Sequence, residues 1–223
     1  MTSRSGSVTV VLVAAVMVLL AIALGMGVGG PGGGGGQQDD RPPGASQGTP
    51  AKSTGVPPRV VVVGAGLSGL SAALELADGG ARGVVVDMSS VYGGHAVMSQ
   101  GGVSVVATPV QQAAGEKDSP DLAYKDFIDW GEGANREWVR YYVDHSREQI
   151  YDWLIELGVQ FSGVETSPGN TVARFHQPLG RGIGLVTPVY RACLERPNVR
   201  FAWNTRADSL VDRHARVVGG RTT

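Results

Sequence analysis

The chain of 223 residues carries 19 Lys and Arg against 20 Asp and Glu, with no basic run, which argues against nucleic-acid binding. Its single cysteine, Cys193, excludes an internal disulfide and a cysteine-rich zinc site, and we expect it to be a small buried side chain on a helix. The four histidines are scattered without ligand spacing, so no metal site is predicted.

The first 28 residues are apolar after a short polar start, and residues 8–28 contain no charged side chain. A helix of that length reaches about 30 Å, enough to cross the hydrocarbon core of a bilayer. We predict an apolar N-terminal helix, either a signal-anchor or a signal peptide cleaved at Ala21-Ile22-Ala23. The apolar run continues past that site, which favours the anchor. Arg4 predicts that the rest of the chain faces the ER lumen or the extracytoplasmic side.

Residues 29–58 are rich in glycine and proline and almost lack large apolar side chains. Such a segment cannot offset the entropy lost on ordering, so we predict a disordered linker. Residues 59–223 then remain as one α/β domain, long enough to bury a core.

The domain opens with a pattern typical of a Rossmann-like unit. Residues 60–63 are four valines, which predict a strand buried on both faces. A G-x-G-x-x-G sequence follows over residues 64–69, and apolar residues then recur at helical spacing as far as Gly79. A second strand over residues 84–86 ends at Asp87. Together these features predict dinucleotide binding.

Each residue of the motif has a physical role in that prediction. Gly64 permits the tight turn, and Gly66 lets the backbone approach a pyrophosphate at the positive end of the helix. Gly69 lets the helix pack closely on the strand, and Asp87 can accept hydrogen bonds from ribose hydroxyls. This pattern alone does not distinguish FAD from NAD.

Two Gly-Gly pairs, at residues 93–94 and 101–102, follow where a simple NAD domain would continue to another crossover helix. Such glycines let backbone N–H groups reach anionic or carbonyl groups of a ligand. They favour FAD, and an NAD-dependent dehydrogenase is the alternative class.

From this segment onward the chain resembles the FAD-dependent flavoproteins of the succinate dehydrogenase and fumarate reductase family, most closely the soluble, single-chain fumarate-reductase-like members. The helix end at residues 153–158 and the segment 174–184 resemble the same family. The resemblance spans nearly all of residues 59–223 and implies a Rossmann-like FAD-binding fold with a parallel central sheet, incomplete at its C terminus. Together, motif and resemblance predict FAD contacts at Gly64, Gly66, Ser68, Gly69, Asp87, Gly93, Gly94, His95, Ala96, Gln100, Gly101, Gly102 and a backbone group near Ala207.

The later part of the chain is predicted from its apolar pattern and from the same resemblance. We expect amphipathic helices over residues 121–130 and 135–157, a helix over 185–194, a strand over 199–203, and a β-ribbon after residue 207.

Two histidines receive separate interpretations. Membrane-complex members of the family have a histidine, bonded covalently to the flavin 8α-methyl group, at the spacing of His95 before Gln-Gly-Gly. The soluble fumarate reductases more often have asparagine there. The resemblance therefore makes His95 a candidate for a histidyl–FAD bond, and a noncovalent hydrogen bond is the alternative. His176 is interpreted as a hydrogen-bonded structural histidine.

The resemblance implies hydride transfer between flavin N5 and an activated carbon–carbon double bond. Fumarate is the leading substrate, with ketosteroids and other enoates as alternatives. In the family, a capping domain clamps the dicarboxylate with residues that would follow residue 223. We therefore expect a fragment or a truncated gene model, inactive alone. The alternative class is a noncatalytic, membrane-tethered flavin-binding module.

Overall fold

A computed structural model describes residues 59–214 and 216–223. The apolar helix and the linker predicted for residues 1–58 lie outside this part of the chain. Within the described ranges, no helix combines the length and the apolar character needed to span a membrane.

The described residues form eight strands and six α-helices. The strands are β1 (Arg59–Val63), β2 (Arg82–Val86), β3 (Val103–Ser104), β4 (Phe161–Glu165), β5 (Phe175–Pro178), β6 (Val199–Ala202), β7 (Ala207–Arg213) and β8 (Arg216–Thr222). The α-helices are α1 (Leu67–Asp78), α2 (Pro109–Ala113), α3 (Pro120–Trp130), α4 (Arg136–Ser146), α5 (Trp153–Glu156) and α6 (Arg181–Leu194). A 3₁₀ helix spans Gly94–Met98, and a π-helical segment, Arg147–Asp152, joins α4 to α5.

A parallel sheet with the strand order β1-β2-β6 forms the centre of the nucleotide-binding unit. Helix α1 forms because its apolar residues recur at helical spacing, so that Leu70 and Leu74 are buried on one side. They join one core cluster with Val85 of β2 and with Val186 and Val189 of α6. This confirms the predicted α/β fold with a parallel sheet.

A second sheet is antiparallel, in the order β3-β5-β4. Strand β3 has only two residues, Val103 and Ser104, which pair with His176 and Phe175 of β5. Beside it, α3 and α4 pack around a smaller core of Val106, Ala123 and Val143. The ribbon predicted after residue 207 is the antiparallel hairpin of β7 and β8.

Two predicted helix descriptions need correction. Helix α6 begins at Arg181, four residues before the predicted start, because Gly182 and Gly184 lie inside the helix and not in a turn. The helix predicted over residues 135–157 runs from α4 to α5 but contains the π-helical segment. That wider turn brings Arg147 and Asp152 into contact, with the Arg147 Nε atom 3.0 Å from Asp152 Oδ1.

Candidate functional site

The glycine turn lies between the end of β1 and the start of α1. Gly64 has φ +99°, and its N–H donates to the carbonyl of Val86 at 2.8 Å. A Cβ atom on Gly69 would lie 1.9 Å from the Gly64 carbonyl oxygen. The helix therefore approaches the turn as closely as the sequence predicted, and only glycine fits at residue 69.

The N-terminus of α1 faces open space. Gly66 is the N-cap residue, with φ −72° and ψ 176°, and no side chain in the described part of the chain caps the helix. A Cβ atom on Gly66 would have no neighbour within 4 Å. The first N–H groups of a helix lack intrahelical partners and carry a partial positive charge, so this end suits an anion.

The second glycine segment meets the first at this point. The Gly93 N–H donates to the Ala65 carbonyl at 2.7 Å, and Gly66 and Gly93 form a parallel β-bridge. A Cβ atom on Gly94 would lie 3.8 Å from the Cα atom of Gly66. Residues far apart in the chain thus build one glycine-lined surface beside the N-terminus of α1.

The other glycine pair packs against the protein itself. A Cβ atom on Gly101 would lie 2.7 Å from the Gly182 nitrogen, and one on Gly102 would lie 2.1 Å from the ring of Phe175. Gly101 also has φ +74°. These two glycines are therefore required for packing on α6 and β5, whatever ligand their N–H groups contact.

The remaining predicted side chains differ in burial. Ser68, His95 and Gln100 are exposed, and Ala96 is half-buried. The Gly182 N–H donates to the Ser99 carbonyl at 3.1 Å, which holds the segment after the 3₁₀ helix against the start of α6. The structure leaves the side chains of Ser68, His95 and Gln100 accessible.

Asp87 holds the turn together. Its Oδ2 atom accepts from the Ala65 N–H at 2.6 Å, and its Oδ1 atom accepts from the Ser89 N–H at 2.7 Å. The Asp87 carbonyl accepts from the Thr205 N–H at 2.8 Å, and Ala207 begins β7 two residues later. A carboxylate offers about four lone-pair sites, so both oxygens can still accept from a ligand.

A buried ionic cluster is the feature that the sequence analysis missed. Arg174 is fully buried, and its guanidinium pairs with Asp118 at 2.8 Å and with Asp126 at 2.6 Å. Although burial alone would raise the pKa of Asp126, hydrogen bonds from Thr171 and Arg174 lower it below its usual value. The sequence signal for this cluster was a charged residue, Arg174, directly before the alternating pattern of β5. That signal does not identify Asp118 and Asp126 as its partners.

The structural interpretation of His176 is confirmed. Its ring Nε2 lies 2.6 Å from Thr108 Oγ1, and its Nδ1 lies 2.7 Å from the Arg174 carbonyl. Burial lowers the pKa of this ring below its usual value. Cys193 is the buried helical side chain that was predicted, and burial raises the pKa of its thiol to about 11.

A parallel sheet, a glycine turn and an open helix N-terminus define a dinucleotide-binding α/β fold. The family model for the FAD binding domain matches residues 59–223, and the chain belongs to this family. This confirms the predicted family and its cofactor, FAD, over the NAD alternative.

Curated relatives include a steroid dehydrogenase and a fumarate reductase. A KsdD-like steroid dehydrogenase of Mycobacterium tuberculosis is 35% identical over 185 residues, covering 73% of this chain and 32% of that protein. A fumarate reductase (cytochrome) of Shewanella frigidimarina is 34% identical over 151 residues, covering 66% of this chain and 26% of that protein. The chain thus spans about a third or less of these relatives.

Similar solved structures include enzymes of both kinds. The 3-ketosteroid-Δ4-(5α)-dehydrogenase of Rhodococcus jostii, in complex with 4-androstene-3,17-dione, matches with a TM-score of 0.68 and 28% identity, covering 77% of this chain and 43% of that one. The open conformation of a flavocytochrome c3 fumarate reductase matches with a TM-score of 0.65 and 27% identity, covering 74% and 31%.

Proposed function

We propose that residues 59–223 are the FAD-binding part of an oxidoreductase that acts on an activated carbon–carbon bond. The observation that carries this proposal is the junction of the two glycine segments at the N-terminus of α1, with open space over Gly66. A diphosphate fits there because uncapped N–H groups and absent side chains let two anionic groups approach the backbone.

The other predicted contacts extend outward from this junction. Gly94 and Ser68 adjoin the diphosphate position, and Asp87 accepts from the ribose hydroxyls with its remaining lone pairs. The backbone near Ala207 would lie towards the adenine. His95 and Gln100, which are exposed beside the second glycine segment, would contact the flavin half of the molecule.

When bound, FAD supplies hydride transfer to or from a carbon atom of the substrate. The described residues bind and orient the cofactor. Fumarate and 3-ketosteroids share a carbon–carbon bond next to an electron-withdrawing carbonyl group, and both substrate classes occur in the names of similar proteins. The substrate class we propose is therefore a carbonyl-activated alkene or its saturated counterpart. A small dicarboxylate and a ketosteroid are its two members to be tested.

The binding site can be tested with a pair of glycine variants in the full 223-residue chain. In Gly66→Ala the new methyl group meets no protein atom but enters the space assigned to the diphosphate. We expect the apoprotein to melt as the wild type does and to bind FAD about ten-fold or more weakly, a loss of about 1.4 kcal/mol. Gly83→Ala in β2 also meets no atom within 4 Å and serves as the matched control. Equal FAD affinity in both variants would place the cofactor elsewhere.

The oxidoreductase proposal needs a substrate readout. The FAD-loaded chain would be reduced anaerobically and mixed with fumarate or with a 3-ketosteroid that carries a carbon–carbon double bond. The reverse assay would mix the oxidised chain with the saturated partner. Substrate-dependent change in flavin absorbance supports the oxidoreductase and identifies its substrate class. Stoichiometric FAD binding without such a change supports the noncatalytic module, or a chain that needs further residues for activity.

The linkage of the flavin at His95 is a separate question. We propose a noncovalent contact, because an exposed imidazole can donate a hydrogen bond as asparagine does. Acid precipitation of the FAD-loaded chain should then release the flavin into the supernatant. A fluorescent band on a denaturing gel, absent in His95→Asn, would instead demonstrate the histidyl–FAD bond.

We further propose, from the sequence alone, that residues 8–28 tether the chain to a membrane, with residues 59–223 on the extracytoplasmic or luminal side. The full chain should then remain in the membrane pellet after carbonate extraction, and a variant with Leu19→Arg and Leu20→Arg should not. Wild-type protein in the supernatant contradicts the tether. A mature N-terminus at residue 24 would support the cleaved signal peptide.

A further inference from the structure

The segment Ser104–Thr108 begins two residues after Gly102, and side chains from other elements hold its backbone. The Tyr142 hydroxyl donates to the Ser104 carbonyl at 2.5 Å, and the Val106 N–H donates to Ser146 Oγ at 3.3 Å. Both of these side chains belong to α4. Strand β3 has only two residues and cannot fix its own position, so these contacts position the chain that leaves the second glycine pair.

Ala107 is the strained point of this segment. Its φ of +54° lies in the left-handed region, which costs an L-residue with a Cβ atom about 1–2 kcal/mol. Its N–H points at Asp118 Oδ2, at 3.5 Å, and its carbonyl accepts from Arg147 Nη1 at 2.9 Å. Surrounding contacts must supply the free energy that keeps Ala107 in this conformation.

Other side chains hold the Arg147 guanidinium in position for its contact with the Ala107 carbonyl. The π-helical turn brings Asp152 to its Nε atom, at 3.0 and 3.2 Å to the two carboxylate oxygens. Its guanidinium also lies 5.6 Å from the ring centroid of Tyr151. Because Asp152 fixes one side of the guanidinium, Nη1 is directed at the Ala107 carbonyl.

We propose that Arg147 is a positioning residue for FAD. It holds Ala107 in the left-handed conformation and thereby fixes β3 and the Gly101-Gly102 pair at the flavin half of the site. This inference rests on the proposed assignment of the second glycine segment to FAD. If Arg147 and Asp152 formed only a surface ion pair, as their exposures of 39% and 43% would allow, removing it would leave cofactor binding unchanged.

Arg147→Gln in the full chain removes the hydrogen bond to Ala107. We expect FAD affinity to fall about ten-fold and the fine structure of the bound flavin absorption band to weaken. In the apoprotein, amide hydrogen exchange over residues 102–107 should become faster. Arg140→Gln is the matched control, because this α4 arginine is similarly exposed and pairs with Asp121 and Asp144, away from the segment.

The mechanism is tested by a rescue variant. Glycine adopts positive φ at little cost, so Ala107→Gly should make the segment independent of Arg147. We expect Ala107→Gly alone to bind FAD within about two-fold of the wild type, and Ala107→Gly with Arg147→Gln to recover most of the lost affinity.

The outcomes separate the two proposals. A wild-type chain that fails to bind FAD overturns the proposed function together with this inference. If the wild-type chain binds FAD and the Arg147→Gln variant binds it equally well, only the positioning role of Arg147 is overturned. A loss of affinity that Ala107→Gly does not repair also overturns it, because Arg147 would then act by another route than the Ala107 conformation.

Discussion

At the scale of single residues, the glycines of the site serve two different needs. Gly66 borders open space, where we propose the diphosphate, whereas Gly69 leaves space for the protein, since a Cβ atom there would lie 1.9 Å from the Gly64 carbonyl oxygen. Backbone cannot move aside as a flexible side chain can. We therefore predict that Gly69→Ala lowers the free energy of unfolding of the apoprotein by about 1–3 kcal/mol. Urea unfolding measures this, and unchanged stability would contradict the close packing of α1 on the turn.

A second prediction at this scale concerns His176. Burial lowers the pKa of its ring in the folded protein, so the unfolded chain binds the proton at higher pH. The stability that neutral His176 contributes is complete above the unfolded pKa, about 6.5. This stability is lost as the pH falls below the unfolded pKa and passes through the lower pKa of His176 in the folded protein. We expect His176→Gln to flatten the fall of the unfolding midpoint between about pH 7.5 and 5. His214→Gln, at an exposed position, is the control, and an equal pH slope in wild type and His176→Gln contradicts the prediction.

At the same scale, the sequence predicted the local roles of residues better than their contacts with distant parts of the chain. Gly64 and Gly69 have their roles within one turn, so their spacing was sufficient to assign them. Asp87 was assigned to ribose, yet its carboxylate accepts from Ala65, 22 residues earlier in the chain. Gly101 and Gly102 were assigned to a ligand, and the structure adds a packing requirement from α6 and β5. Such partners become adjacent only after folding.

At the scale of secondary-structure elements, local pattern determined most of what could be predicted. The β1–α1–β2 unit was predicted to within two residues of its ends, because valine runs, apolar spacing and terminal glycines are local signals. The predicted start of α6 was wrong. Gly182 and Gly184 allow this helix to pack closely, but in the sequence they resemble the glycines of a turn. The π-helical segment was not predicted, because residues 135–157 have the apolar spacing of a continuous helix.

The buried cluster of Arg174 connects elements that the sequence does not place together. Asp118 precedes α3, Asp126 lies within α3, and Arg174 precedes β5. Removing one member of a buried ion pair leaves an uncompensated charge, which typically costs about 3–5 kcal/mol. We predict a loss of stability in this range for Arg174→Met in urea unfolding. Arg174→Lys should recover little of it, because an ammonium cannot make the parallel contacts of a guanidinium.

The control for that prediction is an ion pair on the surface of the same helix. Lys125 and Asp129 pair within α3 and both are largely exposed, so Lys125→Ala should move the unfolding midpoint far less than Arg174→Met. If both variants unfold alike, the buried cluster does not stabilise the junction between α3 and β5.

At the scale of the whole molecule, FAD should bridge parts of the chain that lie far apart in sequence. The glycine turn, the second glycine segment and the start of β7 meet around Asp87 and Gly66, and a dinucleotide along this line would contact all three. A ligand that binds only the folded chain adds about 2.7 kcal/mol of stability at a concentration of about 100 times its Kd. We therefore predict that FAD slows amide hydrogen exchange over residues 66–69, 93–102 and 204–207 together.

The same exchange experiment distinguishes this site from a cavity elsewhere in the described residues. That cavity, of about 560 Å³, lies between the end of α5 and α6 and is lined by Glu156, Pro188, Arg191 and Arg196. Its arginines could attract an anion, but no helix N-terminus lines it and Gly158 is the one glycine among its lining residues. We expect exchange around residues 156–158 and 191–196 to be unchanged by FAD. A dinucleotide at the glycine junction must shield the N–H groups of both glycine segments. If FAD protects only residues 156–158 and 191–196 from exchange, the cofactor binds in the α5–α6 cavity instead.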